Sequence, residues 1–122
     1  MKLYKNEHFI LQRLREGLTQ TQIADSLGVT QGFVAQVEGG SREMTGGFQA
    51  LYPKKLRMIQ RHELVFLMLR RLGMTHGEAK QFFNVRARTW NKWLTGRETI
   101  PDHVVDYLKN QLKIASSESD AA

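Results

Sequence analysis

Residues 6–43 read NEHFILQRLREGLTQTQIADSLGVTQGFVAQVEGGSRE, and residues 62–99 read HELVFLMLRRLGMTHGEAKQFFNVRARTWNKWLTGRET. Laid over one another without a gap, the two stretches match Glu7 with Glu63, Leu11 with Leu67, Arg15 with Arg71, Gly17 with Gly73, Thr19 with Thr75, Val29 with Val85 and Gly40 with Gly96. Apolar character persists at further positions: Leu18 meets Met74, Leu27 meets Phe83, Val34 meets Trp90 and Val37 meets Trp93. This is an internal duplication, so the fold is decided by what one copy forms.

Each copy is punctuated in the same way. A first helix, about 6–16 or 62–72, stops at Gly17 or Gly73, the residue type that tolerates a left-handed helix end. A second starts at Thr19 or Thr75 with Gln22 or Glu78 three residues on, the capping-box pattern, and ends near Gly28 or Asn84. A third follows Val29 or Val85, capped in the first copy by Thr30, with apolar residues three apart facing inward, and stops at Gly39 and Gly40 or at Gly96. At the aligned positions Asn84 replaces Gly28 and Lys80 replaces Ala24, so the lysine stem is expected to snorkel outward.

Between the copies, MTGGFQALYP (44–53) is glycine-containing and aperiodic and reads as a connection. Pro53 suits the first turn of a further helix, PKKLRMIQ, whose Leu56 and Ile59 face a neighbour. Pro101 opens a last helix, about 101–115, with Val104, Val105, Leu108 and Leu112 on one face, and SSESDAA after it reads as a disordered tail. The expected organisation is therefore all-α: a first unit at 1–43, a linker with a short helix at 44–61, a second unit with the final helix at 62–115, and the tail at 116–122. The first helix of the first copy is expected to carry His8, Gln12 and Arg13 on its outer face. LVFLML (64–69) is apolar on most sides and must be covered by the linker helix, the final helix or a second chain. A homodimer contact through Leu64, Leu67 and Met68, or through Val104, Leu108 and Leu112, is the form the last alternative takes.

Eighteen basic residues against twelve acidic ones give a net charge of +6, which favours a polyanionic partner. With no cysteine, neither disulfides nor a thiolate metal site are possible. The charged N-terminus is no signal peptide and no apolar run spans a bilayer, so a reducing cytoplasmic setting is expected, with no membrane partner. His8, His62, His76 and His103 lack ligand spacing, so neither a metal nor another cofactor is expected. No paired carboxylates, phosphate loop or nucleophile beside a histidine points to an enzyme. Trp90 and Trp93 could stack on bases, but their alignment with Val34 and Val37 makes them core. The run Lys54, Lys55, Arg57, Arg61 is either a solvated face or a phosphate contact.

A short helix, a tight turn and a second short helix with a narrow buried stripe is the helix-turn-helix, whose later helix lies in the DNA major groove. Gln31 and Gln36 offer paired donors and acceptors suited to adenine, and Phe33 suits a thymine methyl. In the second copy Arg88 suits guanine and Asn91 adenine, with Thr89 beside them as a further base contact. Gln20, Thr30, Arg42, His76, Arg86, Lys92 and Arg97 are placed to meet phosphates, Gln20 and His76 through the amide ends of their helices. Gly32 in an exposed helix costs about 1 kcal/mol relative to alanine, which either close approach to DNA or tolerance near a helix end explains.

Thr19-Gln20, Ile23-Ala24, Leu27-Gly28-Val29, Thr30-Gln31, Val34, Val37 and Glu38 together resemble the lambda-repressor-like, Cro and cI type helix-turn-helix family. The second copy, through RARTWNKWLTGRETIPDHV, is similar to phage-associated autorepressors, including anti-CRISPR-associated regulators. The resemblance covers residues 6 to about 110 and implies a double-stranded DNA-binding transcriptional regulator, a repressor or autorepressor acting by promoter occlusion at the nucleoid of a bacterial or phage-infected cell. The competing expectation is a protein-interaction module, such as an antitoxin or a polymerase-contacting factor. In a third, one copy reads DNA while the other is architectural or binds RNA.

Overall fold

In the computed structural model, which describes residues 1–113, those residues form eight α-helices and no strand: α1 Lys5–Arg15, α2 Gln20–Leu27, α3 Gln31–Gly39, α4 Gly46–Leu51, α5 Arg61–Leu72, α6 His76–Phe82, α7 Ala87–Leu94 and α8 Asp102–Gln111. They fold as two compact units, Lys2–Arg57 and from Met58 onward.

The duplication is visible in how each helix begins. Glu7 accepts a hydrogen bond from the Tyr4 amide at 2.9 Å, and its counterpart Glu63 accepts one from the Gln60 amide at 2.9 Å, so the glutamate common to both copies satisfies a free donor at each first helix. Thr19 accepts from the Gln22 amide at 3.1 Å while Gln22 accepts from the Thr19 amide at 2.8 Å. Thr75 and Glu78 exchange the same two bonds at 3.1 Å each. Both capping boxes are formed, and Thr30 caps α3 by accepting from the Phe33 amide at 3.1 Å. Gly28 ends α2 with φ 69°, and Asn84 takes the same left-handed place after α6 with φ 55°. Asparagine is the non-glycine residue best suited to it, so the turn survives the replacement.

In the first unit Phe9, Ile23, Ala24, Val34, Val37 and Phe48 form the core, with Leu18, Leu27, Val29, Phe33, Met44 and Tyr52 packed around it. An ion pair lies beside these side chains. Arg13 donates through Nε and Nη2 to the two oxygens of Glu38, at 2.6 and 2.9 Å, and through Nη1 to the Leu18 carbonyl at 2.8 Å. The Glu38 residue is 0% exposed and Arg13 8%. At the aligned positions the second unit has Leu69 and Leu94, so one scaffold joins its first and third helices through a charge pair and the other offers hydrocarbon. There the core is Leu64, Val65, Leu67, Met68 and Leu69 of α5, Ala79 of α6, Trp90 and Trp93 of α7, Ile100, and Val104, Val105 and Leu108 of α8. Burial of each large apolar side chain contributes roughly 1.5–3 kcal/mol. Ala79 faces inward while Lys80 is half-buried.

Three expectations need correction. No helix starts at Pro53. Gln12 Nε2 donates to the Lys54 carbonyl at 3.2 Å and the Leu56 amide donates to His8 Nδ1 at 3.2 Å, so backbone groups of this segment are occupied by side chains of α1. A helix forms instead at Gly46–Leu51, inside the stretch read as a plain connection, because Phe48 buries its ring against Phe9, 5.6 Å between centroids. Tertiary burial here outweighs two unfavourable glycines. Residues 44–57 thus belong to the first unit. Second, His8 and Arg13, expected on the outer face of α1, are 6% and 8% exposed.

Helix α5 packs on α8, the final helix, as one of the three expected coverings has it. Third, Leu64, Leu67, Met68, Val104 and Leu108, expected to join two copies, are each 0–1% exposed in the single chain, which leaves these side chains no area for a second copy, and Leu112 is half-buried. The last helix ends at Gln111 rather than 115. The tail read at 116–122 lies outside the described residues. Among the described residues no helix is long and apolar enough to cross a membrane.

Candidate nucleic-acid interface

Helices α3 and α7 are each held by one narrow stripe, Val34 and Val37 in the first and Trp90 and Trp93 in the second, all between 0 and 8% exposed. The two tryptophans are therefore core, as the alignment with valines implies. Trp90 donates its Nε1–H to His76 Nδ1 at 3.1 Å, which satisfies the indole.

With that stripe turned inward, Gln31 and Gln36 on α3 and Arg88 and Asn91 on α7 are exposed. Gln31 is the outer end of a hydrogen-bonded string. Its Nε2 donates to Gln20 Oε1 at 2.6 Å, and Gln20 Nε2 donates to Glu38 Oε1 at 3.0 Å, where Arg13 anchors the carboxylate. The string takes one N–H of the exposed Gln31 amide and leaves its second N–H and carbonyl oxygen unspent by that bond, the donor and acceptor that adenine requires. Gln36 differs. Its Oε1 accepts from Arg42 Nε at 2.9 Å, so its remaining capacity is mainly as a donor. Such a group suits the acceptors of guanine or thymine better than the two-atom adenine pattern.

Arg42 also lies over the Phe33 ring, 4.3 Å from its centroid, and Phe33 stacks on Phe48 at 5.7 Å with 16° between planes. The half-buried Phe33 is thus committed to Arg42 and Phe48 rather than presented as a free ring. Arg42, read as a phosphate contact, holds Gln36 and caps that stack. Thr30 is exposed, with its hydroxyl oxygen serving the helix cap.

In the second unit Arg86, Arg88 and Arg97 are exposed, and Thr89 is half-buried. Lys92 Nζ lies 3.5 Å from Glu98, at the positions equivalent to Gln36 and Arg42. His76 is half-buried between Phe66 and Trp90, with centroids at 5.8 and 5.9 Å. Burial chiefly, and Lys80 secondarily, push its imidazole below the ordinary histidine range. With Nδ1 accepting from Trp90, the ring keeps its proton on Nε2, so an Nε2–H and the backbone amide of this position remain as donors for an anion. Arg61, from the basic run, donates to the Ile100 carbonyl at 2.8 Å and to Asp102 at 2.6 Å, whereas Lys54, Lys55 and Arg57 are exposed.

The Arg13–Glu38 pair and its string to Gln31 escaped the sequence reading. The available signal was spacing: Arg13 falls four residues after buried Phe9 and Glu38 four after buried Val34, so both lie on inward stripes. Among the described residues no group of three or more histidine, aspartate or glutamate side chains is placed to hold a metal ion. Comparison of the chain with protein-family models, with curated proteins and with solved structures finds no match in any of the three.

Proposed function

We propose that the chain is a sequence-specific double-stranded DNA-binding transcriptional regulator, a repressor that occludes a promoter, its own included. The observation that carries this reading is the division of α3 and α7 into one buried apolar stripe and an opposite face of exposed amides and guanidinium groups: Gln31 and Gln36, Arg88 and Asn91. Their hydrogen-bonding capacity matches base edges in a groove wide enough to admit a helix. The net charge of +6 supplies the attraction for phosphates. In this reading each unit is a helix-turn-helix, and the cell's concentration of the protein is the input.

The test is a titration of duplex DNA from upstream of the chain's own gene against random duplex at rising salt. The regulator binds its own upstream region far more tightly, with log affinity falling linearly in log salt. Equal affinity for random duplex removes sequence specificity, and affinity independent of salt removes DNA binding.

One observation favours the protein-interaction reading. Phe82, 55% exposed, packs on Tyr107 at 4.8 Å beside Phe83 and forms an aromatic group on the surface of the second unit. That reading predicts that Phe82→Ser abolishes function while Gln31→Ala and Arg88→Ala leave it intact.

A further inference from the structure

The two reading helices descend from one repeat, yet their outward faces agree nowhere. At aligned positions Gln31 stands against Ala87, Gly32 against Arg88, Ala35 against Asn91 and Gln36 against Lys92. The first helix thus reads from the two outer positions of this face and leaves the two middle ones bare. A side chain at Gly32 would meet nothing within 4 Å, so the space is open rather than filled. The second reads from the two middle positions, with Ala87 and the glutamate-paired Lys92 at the outer ones. The supports diverge too: Gln31 is steered through Gln20 to the Arg13–Glu38 pair, while the position equivalent to Gln20 is His76, turned to Trp90.

We propose that one chain recognises an asymmetric duplex site, in which the half met by α3 is centred on adenine and the half met by α7 contains guanine. This rests on the DNA-binding reading above. Chemistry assigns the halves: the remaining donor and acceptor of the exposed Gln31 complement adenine, and the exposed guanidinium of Arg88 complements the two acceptors of guanine. A symmetric pair of chains on a palindrome places the same helix in both half-sites, and Leu64, Leu67 and Met68 of α5 and Val104 and Leu108 of α8, expected to join such a pair, are buried within the chain. Two unlike heads on one chain meet two unlike half-sites without a partner.

The experiment is enrichment of the full chain on a random duplex pool, followed by native mass spectrometry on the enriched duplex. A non-palindromic consensus carrying one chain per duplex is expected. Arg88→Ala should relax the guanine preference by about 5- to 150-fold in one half and leave the other unchanged, and Gln31→Ala should do the converse for adenine. Both side chains are exposed, and unchanged helical circular dichroism verifies that each variant folds. An inverted repeat occupied by two chains, or both substitutions relaxing the same positions, overturns the inference while leaving DNA recognition standing. Failure of any sequence to enrich over random duplex removes DNA recognition itself, and the inference with it.

Discussion

Substituting Glu38 by leucine, the residue found at the aligned position 94, separates a charge that stabilises from one that is merely tolerated. Glu38 is fully buried and receives Arg13 at 2.6 and 2.9 Å and Gln20 at 3.0 Å. Its removal strands a buried guanidinium, a loss of about 3–5 kcal/mol. A unit the size of Lys2–Arg57 has a total stability of roughly 3–8 kcal/mol, so Glu38→Leu consumes most of it. The double variant Arg13→Leu with Glu38→Leu reproduces the residue pair of the second unit, strands no charge, and should return to within about 1 kcal/mol of the parent. Urea unfolding followed by far-ultraviolet circular dichroism measures both, read as midpoint shifts at constant slope. A cost below about 1 kcal/mol for Glu38→Leu, or a double variant no more stable than the single, refutes the reasoning.

Three further outcomes follow from the same structure. Thr19→Ala and Thr75→Ala each remove a helix cap and should cost about 1 kcal/mol in urea unfolding, while Thr→Ser at either position retains most of it. Gly28→Ala forces a side chain into φ 69° and should cost about 1–2 kcal/mol, whereas Asn84→Gly, at φ 55°, should be neutral or stabilising. Burial, with Lys55 secondary, pushes His8 below its ordinary value of 6.5, as burial and Lys80 do His76. The unfolded chain therefore binds more protons than the folded one below 6.5, so stability present above that pH is lost as pH falls through the depressed folded-state values. Urea midpoints at pH 7.5 and pH 5 should show the decline, and His8→Phe or His76→Phe should flatten it.

Features written in neighbouring residues were legible before the structure. A capping box needs only two side chains three residues apart, so Thr19 with Gln22 and Thr75 with Glu78 were read directly, as were the glycine stops and the inward stripes of α3 and α7. What escaped depends on residues far apart in sequence. Phe48 draws Gly46–Leu51 into a helix only because Phe9 and Phe33 wait for it. His8 and Gln12 occupy backbone groups of Lys54 and Leu56 across more than forty residues, which is why Pro53 opens no helix. At the candidate interface the exposure of Gln31, Gln36, Arg88 and Asn91 follows from their positions, whereas the half-burial of Phe33 and Thr89 and the coupling do not. Gln36 is exposed as its position implies, but the bond from Arg42 changes what it can offer, and the Arg42 over Phe33 depends on a ring stack no local pattern encodes.

The most direct measurement is a nuclear magnetic resonance titration of the full chain with duplex DNA from upstream of its gene, following the side-chain amides of Gln31, Gln36 and Asn91 and the guanidinium of Arg88. If α3 and α7 enter the groove, these four signals shift together and saturate at one stoichiometry, while the indole of the buried Trp90 moves little. Shifts confined to the surface around Phe82 and Tyr107, with the four side chains unmoved, contradict the account.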